Sequence, residues 1–209
     1  MLVRRVYLAA VLAFALGLSA GYGPAAAEEL GEGAAEFVQS LSNRTLEMLR
    51  TSEISEDERL ERFRALLREA FDISAIGAFV LGRYWRTATQ DQRAEYLRLF
   101  EDYIVRSYSA RLGSVYSGEG FEINRVLPQG NDGILVRGRI TSEKNPPIRV
   151  DWYVRRPQGV YKVVDVRVEG VSMVRTQRDE FTSVIQRKGG EVEGLLEVLR
   201  EKIKQLESE

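Results

Sequence analysis

The stretch Ile148-Arg149-Val150-Asp151-Trp152-Tyr153-Val154-Arg155 decides how this chain is read. Val150, Trp152 and Val154 fall on one side of an extended backbone, and Arg149, Asp151, Tyr153 and Arg155 fall on the other. Strict period-two alternation is the mark of a strand with one buried face. Residues 121–127, 134–141 and 160–168 read the same way; in the last, Val164, Val166 and Val168 oppose Asp165, Arg167 and Glu169. The connectors, residues 128–133, 143–147 and 156–159, are short and rich in Pro, Gly and Asn. Short connectors favour an antiparallel meander. A sheet apolar on one face and charged on the other must have the apolar face covered, and only helices are left to do it.

Those helices lie on both sides. Residues 34–50 carry Phe37, Val38, Leu41, Thr45, Met48 and Leu49 at near-helical spacing. Ser55-Glu56-Asp57-Glu58 is a capping box opening a helix through Phe71, and a short helix follows over residues 72–81. A second capping box, Thr89-Gln90-Asp91-Gln92, starts the longest helix, to about Leu112. After Gly170 the helical period returns over residues 174–188, Gly189-Gly190 stops it, and residues 191–206 form a last helix. The reading is α+β: helices, a four-stranded antiparallel sheet, then two helices.

At the N-terminus, Arg4 and Arg5 precede an apolar run ending in Ala25-Ala26-Ala27. A basic start, a short apolar core and small residues at the exit make a secretory signal peptide. Residues 1–27 are therefore expected to be cleaved, leaving residues 28–209 as one exported domain. The chain of 209 residues has no Cys and no His, which removes thiol nucleophiles, Ser-His-Asp triads and zinc or haem ligand sets. Net charge is -1, without the basic surplus of a nucleic-acid binder. Charge is uneven, however. Residues 28–61 are acid-rich, and residues 83–178 carry a basic surplus, mostly Arg. That surplus is either a solvated face or a surface for lipid headgroups or an acidic partner, because guanidinium forks pair with phosphate.

No phosphate loop, dinucleotide fingerprint or nucleophile elbow occurs. Asp165 and Glu169 lie on the polar side of a strand, where a solvated pair is the simpler reading than a glycosidase site. The chain is expected to bind rather than to react, with no cofactor and no metal. The abundant aromatic and aliphatic residues over residues 79–108 must lie near the sheet. Whether they fill a core or line a cavity cannot be read from their chemistry, which is the same in both cases.

Val80-Leu81-Gly82-Arg83-Tyr84-Trp85-Arg86-Thr87-Ala88-Thr89, with Gln92-Arg93 and Phe100, resembles the MlaC family. So do Pro146-Pro147-Ile148-Arg149-Val150-Asp151-Trp152 and Val168-Glu169-Gly170-Val171-Ser172-Met173, followed by Phe181 and Lys188-Gly189-Gly190. The family is also known as toluene-tolerance or organic-solvent-tolerance proteins, auxiliary to an ABC transporter. The resemblance implies a periplasmic carrier of diacyl phospholipid that maintains outer-membrane asymmetry. Its helices would wrap the sheet around a lipid-sized cavity. The implied partners are an inner-membrane MCE-domain ABC transporter complex and an outer-membrane lipoprotein–porin complex, with the carrier itself a monomer. A hopanoid or other amphiphile as cargo, an adaptor without catalysis, and a lipid-active enzyme remain as alternatives. On this reading acyl-chain contact falls to Val80, Leu81, Tyr84, Phe100, Tyr103, Ile104, Trp152, Val154, Val166, Val168, Val171 and Met173. Headgroup or partner contact falls to Arg83, Arg86 and Arg149.

Overall fold

The computed structural model describes residues 24–50, 54–115, 120–130, 133–142 and 145–208, the side chains of residues 24–27 and 110–115 excepted. The predicted signal peptide lies mostly outside these residues. Helices α1 (Pro24–Arg50), α2 (Glu56–Ala70), α3 (Ile73–Leu81), α4 (Tyr84–Thr87) and α5 (Gln90–Val115) come first. Strands β1 (Gly120–Gln129), β2 (Gly133–Thr141), β3 (Ile148–Arg155), β4 (Lys162–Val168) and β5 (Val171–Ser172) follow, then α6 (Met173–Arg187) and α7 (Val192–Glu207). The Thr89–Gln92 capping box forms in full, whereas at Ser55 only the N-cap half forms, because the Glu58 carboxylate pairs with Arg62. Ser55 Oγ accepts from Glu58 N at 3.2 Å; Thr89 and Gln92 exchange side-chain-to-backbone bonds, both 3.1 Å.

The sheet has five strands in sequential order, all antiparallel, where the sequence predicts four. The fifth escapes periodicity because it is two residues long. It returns on β4 through Glu169 and Gly170, both at positive φ (50° and 85°), the tight turn that matches strand twist. A second correction concerns β4. Its register shifts between the pairs Tyr153–Asp165 and Val154–Val163, so a bulge falls at Val164. Val163, not Val164, is consequently the residue buried on the inner face, at 0% exposure.

Two layers of packing result. Ala34 and Val38 of α1 cover Ile134, Val136 and Val154, and Leu41 joins Leu66 and Ala70 of α2 over Val163. A second core lies within the helices. Val80, Leu81, Tyr96, Leu99 and Phe100 pack there with Phe181, Ile185, Leu195, Leu196 and Leu199 from α6 and α7. Burial pushes the Tyr96 phenol far above its ordinary pKa, so it stays neutral and donates to Gly77 O at 3.1 Å.

α6 starts at Ser172, whose Oγ accepts from Arg175 N at 3.1 Å. Ser172→Ala should cost about 1 kcal/mol, as loss of an N-cap does. Chemical denaturation should show it as a lower midpoint with unchanged slope.

Candidate functional site

The inner face of the sheet is a set of cross-strand rows, and burial changes from one end to the other. At the end nearest the β3–β4 turn, Ile134, Val154 and Val163 are 7%, 1% and 0% exposed. In the next row Val136 is buried, but Val126, Trp152 and Val166 are only half-buried. One row further, Val150 is buried while Ile123 and Val168 are half-buried and Val171 is 54% exposed. In the last row Phe121 and Ile140 are half-buried, and Ile148 is 41% exposed. Coverage by the helices is thus tight at the Val154–Val163 end and loosens toward exposed Ile148 and Val171, and the half-covered part of this face is the candidate slot.

One polar atom inside the slot is unmatched. The Trp152 indole Nε1 is buried without an acceptor, although the ring packs edge-on against Phe121 with centroids 6.2 Å apart. An unsatisfied buried donor costs about 1–3 kcal/mol, so the site gains from any ligand that brings an acceptor.

The residues predicted to hold acyl chains divide into three groups. Trp152, Val166 and Val168 line the slot, with Val154 sealing its closed end. Val80, Leu81, Tyr84 and Phe100 belong to the helical core, packed by α6 and α7, which meets the cluster of Trp152 and Val166 only through its edge at Phe71. Tyr103 and Ile104 border that core, and Met173 begins α6; all three are half-buried. Val171 stands at the rim rather than inside. Arg83, Arg86 and Arg149 are all exposed. Arg83 donates to Tyr84 Oη at 2.8 Å and sits over that ring.

The sequence reading missed Phe121, Ile123, Val163 and Ile148. Phe121 and Ile123 were legible as the apolar side of β1. Val163 was hidden by the bulge.

A cleft of about 720 Å³ also opens between α2, α3, α5 and Pro157. Phe71, Ile73 and Leu97 floor it, but Arg64, Arg68, Arg98, Lys162, Asp72, Glu101 and Asp102 surround it. Arg64 bridges Glu101 and Asp102 at 3.1 and 2.6 Å. A wall so charged suits an acyl chain poorly. Asp165 and Glu169 do not form a catalytic pair. Asp165 accepts from Val174 N at 3.3 Å and faces Arg167, while Glu169 accepts from Arg149 N.

The MlaC family profile, described as "MlaC protein", matches residues 39–201. The intermembrane phospholipid transport system binding protein MlaC of Haemophilus influenzae is 26% identical over 117 residues, 54% of this chain and 54% of that protein. The chain thus matches about half the length of this curated relative. A solved structure of the phospholipid-binding protein from Ralstonia solanacearum, in complex with a phospholipid, is 22% identical. It superposes with a TM-score of 0.70, covering 83% of this chain and 98% of that one. At that identity the likeness establishes the fold.

Proposed function

The chain belongs to the MlaC family, and from that we propose that it is a periplasmic phospholipid carrier whose acyl chains occupy the slot between sheet and helices. The graded burial of the inner face carries this reading. Its apolar rows give the chains a dry wall, and its open end leaves a headgroup in water. The orphaned Trp152 indole adds to it, because the ester carbonyls of a glycerolipid are acceptors. The relatives named for phospholipid transport and phospholipid binding point the same way.

The energetics fit a carrier rather than a store. Each methylene kept from water is worth about 0.8 kcal/mol, so two acyl chains amount to roughly 20 kcal/mol or more. Against a bilayer the gain nearly vanishes, since the chains are already dry there. Loading and release are then decided by whatever changes the slot's shape on docking. In this scheme the protein moves lipid between an outer-membrane lipoprotein–porin complex and an inner-membrane MCE-domain transporter, catalyses no reaction, and preserves outer-membrane asymmetry.

Native mass spectrometry of protein purified without detergent, with lipid extraction of the same sample, tests the proposal. One diacyl phospholipid per chain is the expected result. A hopanoid in its place would keep the carrier and change the cargo. A clean mass that takes up no lipid on mixing with vesicles would remove the carrier reading.

A further inference from the structure

Arginines that make no ion pair among the described residues lie beside the slot mouth and along α6 from it, with the Glu169 carboxylate, which accepts from Arg149 N, as the acidic group at the β4–β5 turn. Ile148 and Val171 stand exposed at the mouth, and Phe79 is 44% exposed on α3. Arg149 follows Ile148, and its Nη2 lies where a Cβ on Gly170 would approach to 2.9 Å, which sets the guanidinium against the β4–β5 turn. Arg175 stands in the first turn of α6, four residues after Val171. Arg178, a turn further, lies 4.9 Å over the Phe79 ring and rests against Gly82. Arg83 and Arg86 follow Gly82, against which Arg178 rests, in the α3–α4 turn and α4. Among the described residues none of these five arginines pairs with a carboxylate. Arg64, Arg137, Arg139 and Arg200 elsewhere all do. Even Asp179, four residues on from Arg175 in the same helix, makes no ion pair with it.

We propose that this face docks on an anionic lipid surface and seats the slot mouth against it. The inference rests on the carrier reading and adds the membrane surface beside which the partner complexes stand. A patch of uncompensated arginines is complementary to phosphates spread over a plane. The apolar side chains among them are of the kind that settles at the boundary of headgroups and acyl chains. A protein partner would be anchored by side chains entering pockets. This face presents protruding apolar side chains instead, which a bilayer accommodates without a matching shape. Binding through screened charges is weak and reversible, as a protein that must leave again requires.

The test is co-sedimentation of the protein with vesicles of phosphatidylcholine alone and of phosphatidylcholine with phosphatidylglycerol. The expected result is binding to the anionic vesicles only, weakening as salt rises. Each arginine near such a surface contributes about fivefold to partitioning, so Arg86→Glu with Arg175→Glu should lower it at least about twentyfold. Both side chains are exposed, so the fold should survive, and circular dichroism checks that it does. Equal binding to neutral vesicles, an undiminished double variant, or capture by acidic proteins without vesicle binding would each overturn the proposal. Lipid extraction separates the two readings. Cargo retained in a double variant that no longer sediments supports docking. Wild-type protein that sediments with anionic vesicles yet takes up no lipid would sink the carrier and leave the docking face.

Discussion

Val166→Glu should empty the protein of lipid while leaving it folded. Val166 lies on the inner face of β4, opposite Trp152 and one row from the closed end, and is half-buried. A carboxylate there faces the acyl chains. It must either lose its water or take up a proton, and an unpaired charge in an apolar setting costs several kcal/mol. Since 1.4 kcal/mol is tenfold in an equilibrium constant, lipid occupancy should fall at least about tenfold. The empty protein escapes most of that cost, because the slot opens at the Ile148–Val171 end and water can reach the carboxylate. The measurement is lipid phosphorus per chain beside the thermal midpoint. Full occupancy in a natively folded Val166→Glu variant would take the cargo out of the slot.

The helical core should respond in the opposite way. Phe181 of α6 meets Tyr96, Phe100 and Tyr103 at centroid distances of 6.3, 6.1 and 6.0 Å. It is almost wholly buried among residues from α3, α5 and α7. Phe181→Ala removes the ring and leaves a cavity that neighbours on several helices cannot close. The expected loss is about 3–5 kcal/mol. For a domain of this size it should lower Tm by about 10 °C. Lipid retained at temperatures where the variant is still folded should match the wild type, because Phe181 packs in the helical cluster and not in those of Trp152 and Val166. A variant of unchanged Tm that sheds its lipid would show that Phe181 serves the cargo and not the core.

The contrast between those two variants marks where sequence reading reached its limit. Alternation in Ile148–Arg155 and its neighbours was enough to predict an antiparallel sheet with one dry face. The two capping boxes located the starts of α2 and α5, because a cap is a contact between residues three apart. β5 was out of reach, since two residues have no period. The bulge at Val164 was out of reach as well: it shifts one strand against its neighbour without altering either strand's own pattern. The predicted contact residues were harder still. Val80, Leu81 and Phe100 have the same apolar chemistry as Trp152 and Val166, yet the first three pack into the helical core and the last two line the slot.

The fold class, the starts of α2 and α5 and the dry face of the sheet were determined by the sequence alone, since each depends on residues close together in the chain; α1, which begins at Pro24 rather than near Ala34, and the four-residue α4 were not. The matches spread through residues 80–190 pointed to the family as well. Tertiary structure alone decided which apolar residues are wholly buried and which stay half-covered. It also decided that Val171 is a rim residue, and that arginines of β3 and α6 stand beside it without forming ion pairs among the described residues. The physical reason is common to all three. Burial and charge compensation depend on neighbours that the chain brings together from distant positions, and no local pattern records them.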